Sequence, residues 1–149
     1  MMVDDVISLA IKLEEDGYEF YSKVSQNFQQ ERLKESFDFL AKQELKHAEV
    51  FRKMKNSDDK DLSNTWDENE AYISTFVSSS VFPDVRELLK NIENLKVIDL
   101  LKFAIDVEKN TLIVYYELLE KIKDKKALKE IINEEKKHLE MLTKISAGL

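Results

Sequence analysis

Apolar residues recur along this chain at alternating spacings of three and four, the spacing that places side chains on one buried helix face. Four long segments carry it. The first runs from Val3 to Phe28, with the seam Ile7, Ala10, Glu14, Gly17, Tyr21, Val24 and Phe28. The second runs from Glu31 to Lys55, with Leu33, Phe37, Leu40, Glu44, His47, Phe51 and Met54. The third covers Val97 to Lys123 and carries Leu101, Ala104, Glu108, Thr111, Tyr115, Leu118 and Ile122. The fourth covers Lys125 to Ile145 and carries Leu128, Ile131, Glu135, His138, Leu142 and Ile145. The links within each pair are short, so each pair is expected to form an antiparallel hairpin.

Between the hairpins, from Asn56 to Lys96, the periodicity weakens. A solvated loop is expected at 56–64, and a short helix over 65–77 with Thr65 and Glu68 as a capping box. Pro83 stops that helix, and Asp84 and Glu87 can cap another over VRELLKNI. Trp66, Tyr72, Phe76 and Phe82 read as packing residues. The expectation is an all-α four-helix bundle, one domain over 1–149, with a long crossover containing short helices. At about 1.5 Å per residue, each long helix is about 37 Å, a length the crossover can span. The same connection could instead carry one hairpin onto a second subunit as a swapped dimer.

The seams contain six residues that do not belong in an apolar core: Glu14, Glu44, His47, Glu108, Glu135 and His138. They obey an internal repeat. VDDVISLAIKLEEDGYEFY aligns with VIDLLKFAIDVEKNTLIVY, matching Glu14 with Glu108 and Tyr21 with Tyr115. AKQELKHAEVF aligns with INEEKKHLEML, matching Glu44 with Glu135 and His47 with His138. Each half thus supplies a seam Glu on one helix and a Glu-x-x-His on the next, whose two side chains share a helix face. All six fall near mid-helix and can meet at one level around an approximate twofold axis.

Four buried carboxylates without compensation are costly, each unpaired charge by several kcal/mol. No Lys or Arg occupies these seams. Two divalent metals supply the balancing charge, and mixed oxygen and nitrogen donors suit iron or manganese, with zinc chemically allowed. In the expected arrangement Glu14 and His47 serve one metal, Glu108 and His138 the other, and Glu44 and Glu135 bridge. Tyr21 and Tyr115 lie two turns beyond Glu14 and Glu108. Each hydroxyl can reach a ligand on a facing helix, or be an ordinary core hydroxyl satisfied elsewhere. Gly17 and Thr111, both small, are expected to leave room beside the metals for water, dioxygen or peroxide.

Composition narrows the rest. Two glycines and one proline in 149 residues favour long helices. A net charge of -7 argues against nucleic acid and gives no support to an anionic membrane surface. The absence of cysteine excludes disulfides, rubredoxin-type iron and iron–sulfur clusters on this chain. The N-terminus lacks a secretion-signal pattern and no transmembrane run is present, so a soluble cytoplasmic protein is expected.

Glu14, QELKH (Glu44, His47), Glu108 and EEKKH (Glu135, His138) resemble the ferritin-like di-iron carboxylate proteins, most closely the rubrerythrin group. The resemblance covers both hairpins. It implies six metal ligands for two iron ions, with Glu44 and Glu135 bridging, and a peroxide- or dioxygen-reducing oxidoreductase, with a homodimer expected. Tyr21 matches the family's common tyrosine after the first ligand. Two departures stand out. Without cysteine the chain cannot carry the family's rubredoxin-like electron donor, so an external donor protein is implied. Thr111 replaces the carboxylate that rubrerythrins place one turn after the third-helix ligand. An exchange between that carboxylate and the histidine is therefore not expected, and His47 would stay a ligand throughout. A ferroxidase or iron-storage protein, or a metal-stabilised bundle without turnover, are the other readings.

Overall fold

The computed structural model describes residues 3–56 and 85–149. Within them the chain forms α1 (Val3–Asn27), α2 (Glu31–Lys55), a short α3 (Val85–Lys90), a 3-10 turn (Ile92–Asn94), α4 (Val97–Leu119) and α5 (Lys125–Ala147). No strand occurs among the described residues. The loop and capped helix expected over 56–77, Pro83, the Asp84 cap and the four crossover aromatics lie outside them, apart from Asn56 at the end of α2.

Local chemistry accounts for the helix ends. Asp4 and Asp5 place negative charge in the first turn of α1, and Arg52, Lys53 and Lys55 place positive charge in the last turn of α2, each complementing the helix dipole. Asp124 caps α5 by accepting from the Ala127 amide. The third long helix stops at Leu119, four residues short of the expected Lys123. There the amides of Glu120 and Lys121 bond three residues back, to Glu117 and Leu118, which tightens the last turn. The Lys125 ammonium then donates to the Leu119 carbonyl at 2.6 Å. Ile122 stays buried although it lies past the helix.

The long helices form a four-helix bundle. Contacts between side chains set their directions: Tyr21 meets Glu108 and Tyr115 meets Glu14, so α1 and α4 are antiparallel. His47 meets Glu135 and Glu44 meets His138, so α2 and α5 are antiparallel too. Gly17 lies against Glu44 and Glu14 against His47, so α1 and α2 are antiparallel, and α2 and α4 run the same way. The end of α2 and the start of α4 therefore lie at opposite ends of the bundle.

The seams fill the core as their periodicity predicts. One apolar cluster gathers Ile7, Ala10, Phe51, Tyr115, Leu118 and Leu128. A second gathers Tyr21, Val24, Phe37, Leu40, Leu101 and Leu142, and α3 adds Val85 to it. The six charged or polar seam residues fall between these clusters in each of the four long helices. The core is two apolar caps separated by a polar layer.

Candidate metal centre

The layer is built by position in the helices. Glu14 and Glu108 each lie near the middle of α1 and α4, while the two Glu-x-x-His pairs lie on α2 and α5. All six residues are buried, with exposures between 0% and 4%. They form two overlapping quartets, Glu14, Glu44, His47 and Glu135, and Glu44, Glu108, Glu135 and His138. In each, one donor atom per residue lies within 4.8 Å of the others. Glu44 and Glu135 belong to both. The imidazole rings of His47 and His138 are nearly parallel, 21° apart with centroids at 5.8 Å.

Both imidazoles present Nδ1 to the carboxylates. His47 Nδ1 lies 2.8 Å from Glu135 Oε1 and 3.4 Å from Glu14 Oε2. His138 Nδ1 lies 3.2 Å from both Glu44 Oε1 and Glu135 Oε2, and 3.8 Å from Glu108 Oε1. The tyrosines reach across the bundle. Tyr21 donates to Glu108 Oε1 and Tyr115 to Glu14 Oε1, both at 2.7 Å. Of the two alternatives left open by their spacing, the structure thus takes the bond to a carboxylate of a facing helix. Burial first, then the nearby carboxylates, push both phenols well above their ordinary range, so they remain donors.

The cluster balances its charge with protons. Burial and the charge of Glu135 push Glu14 and Glu44 well above the usual carboxylate range, and Glu108 to about 8. Burial would raise Glu135 as well, but bonds from Glu108 and the two imidazoles outweigh it and hold Glu135 well below. Burial also opposes charge on the imidazoles, yet the carboxylates around them prevail: His47 rises to about 9 and His138 to about 12. Even so, Glu108 Oε2 is buried without a hydrogen-bond partner, and Glu14 Oε2 and Glu44 Oε1 have only an imidazole Nδ1 nearby, at 3.4 and 3.2 Å, with no well-formed hydrogen bond. Buried carboxylate oxygens left short of hydrogen bonds, among oxygen and nitrogen ligand atoms, are what a bound cation satisfies.

One sequence expectation needs adjusting. Gly17 does not open a space for a small molecule: a Cβ there would meet Glu44 Oε2 at 3.1 Å and its Cδ at 3.2 Å. The room that Gly17 leaves is taken by the Glu44 side chain. Thr111 is buried on the α4 seam, one turn beyond Glu108. One participant was not anticipated. Glu134, adjacent to Glu135, places Oε2 2.5 Å from His47 Nε2. The doubled Glu of EEKKH, where the other half has QELKH, was the available signal. Its meaning depends on how α2 packs against α5.

No curated protein matched the chain. A solved structure from Thermotoga maritima, described as a ferritin-like diiron-carboxylate protein, is 38% identical with a TM-score of 0.79. The match covers 99% of this chain and 95% of that one. The family model described as rubrerythrin matches residues 5–146. With nearly the whole chain matched, the chain belongs to the rubrerythrin family.

Proposed function

We propose that the layer holds two iron ions and that the protein is an oxidoreductase, reducing peroxide, or dioxygen, with electrons from an external donor protein. The observation that carries this is the pair of overlapping quartets sharing Glu44 and Glu135. Glu14 and His47 would hold one ion, Glu108 and His138 the other, and the shared carboxylates both. Two ferrous ions held there would supply one electron each, the pair that, with two protons, reduction of one peroxide to two waters requires.

The remaining work falls to the chain itself. The two apolar caps keep bulk water from the layer. Tyr21 and Tyr115 fix one oxygen of Glu108 and of Glu14, which leaves the other for the ion. These 149 residues contain no cysteine to relay electrons, and in this reading an external donor protein returns them. Manganese fits the same donors, and elemental analysis of protein purified without air decides between the metals.

The direct test loads the protein with ferrous iron without air and adds peroxide. One equivalent of peroxide per chain should oxidise both ions, followed by the rise of ferric absorption. Iron that stays ferrous sinks the peroxide reading and leaves the structural role of the metals. Gel filtration addresses the storage reading: a homodimer agrees with the enzyme, whereas a cage of many subunits would favour storage.

A further inference from the structure

The two halves of the layer repeat each other in ligands but not in what stands behind the histidines. His47 Nε2 is bonded to Glu134, whose side chain is 44% exposed. His138 Nε2 is buried with no hydrogen-bond partner. The internal repeat pairs Glu134 with Gln43, and Glu130 with Phe39. The ring that packs edge-to-face with His138 is Phe39, with centroids 6.4 Å apart at 80°. One imidazole therefore has an acidic outer neighbour on α5, and the other an aromatic one on α2.

We infer that Glu134 makes the two metal positions unequal, so that the Glu14/His47 position is the tighter and fills first. This rests on the dinuclear reading above. A histidine that ligates through Nδ1 must keep its proton on Nε2, and that N–H needs an acceptor. At His47 the Glu134 carboxylate supplies one, fixes the tautomer and ring orientation, and increases the donor strength of Nδ1. At His138 the same N–H is desolvated and unpaired, which weakens its use as a ligand. Glu134 touches no metal position itself; it is a positioning residue acting through His47.

Titration of the full metal-free chain with cobalt(II), followed by calorimetry, tests this. The unsubstituted protein should show two steps differing by about tenfold or more. Glu134→Ala should weaken the tighter step by about 10- to 100-fold and leave the other nearly unchanged. Glu134→Gln should restore part of the loss, because its amide oxygen still accepts from Nε2. That rescue separates positioning from a general effect on folding, and an alanine on this half-exposed helical surface leaves the helix intact. A single affinity in the unsubstituted protein overturns the inference. So does an alanine effect shared by both steps, confined to the weaker one, or absent. Failure to bind any cobalt overturns the dinuclear reading and this inference with it.

Discussion

Gly17 shows how one missing side chain shapes the layer. It follows Glu14 by one turn on the α1 seam, and the Glu44 side chain from α2 lies where a Cβ would point, within 3.1–3.3 Å. Alanine there should favour the helix by about 1 kcal/mol. It would also press on the Oε2, Cδ and Cγ atoms of a carboxylate shared by both quartets. In the metal-free protein that carboxylate ends a flexible chain and can yield by a few tenths of an ångström. Held between two ions, as proposed, it could not. Gly17→Ala is therefore expected to leave the metal-free melting temperature within a few degrees while lowering metal affinity by about tenfold, or about 1.4 kcal/mol. Calorimetric titration of both proteins checks it, and an unchanged affinity would show that Glu44 has room to spare.

At the scale of elements, the tyrosines tie the two hairpins together. Tyr21 belongs to α1 and bonds to α4, and Tyr115 does the reverse. Phenylalanine at either position keeps the packing and removes the donor, leaving a buried carboxyl oxygen of Glu108 or Glu14 without it. Each substitution should cost about 1–3 kcal/mol in urea unfolding of the metal-free protein. A loss below about 0.3 kcal/mol for both would mean that the two bonds do not hold the hairpins. The elements themselves were legible because each seam is long and its steps regular. The six misplaced polar residues were legible for the same reason, standing out against that regularity and recurring in both halves. The end of α4 was not, since tight-turn amide bonds and the Lys125 cap decide it rather than periodicity. Nor was Glu134, which lies off the seam and acquires its role only from the approach of α2 to α5. Gly17 was read as empty space because sequence shows a small residue and not the neighbour that fills it.

For the whole molecule, the decisive quantity is how a layer of four carboxylates and two imidazoles exchanges protons for metal. Glu108 rises from an ordinary 4.5 to about 8 through burial and Glu135. Between those values the folded protein keeps a proton that the unfolded chain has released, so rising pH favours unfolding. Glu14 and Glu44, also raised, act in the same direction. His47 and His138, raised from 6.5 to about 9 and about 12, add to it above pH 6.5. Glu135 is held low instead; its contribution is present above its unfolded value and lost only in more acidic solution. The metal-free protein should therefore melt at progressively lower temperature from pH 5 to pH 8, by about 10 °C or more, since Glu108 alone contributes about 3–4 kcal/mol over that interval at about 2–4 °C per kcal/mol. Metal binding requires the same protons to leave, so affinity should rise over that interval and release protons into the solvent. The melting temperatures of metal-free and cobalt-loaded protein should then diverge as pH rises. Differential scanning calorimetry at pH 5, 6.5 and 8, with both forms at equal chain concentration, measures that gap. A gap independent of pH would mean that the ions do not replace the protons of this layer, and would place metal binding elsewhere on the chain.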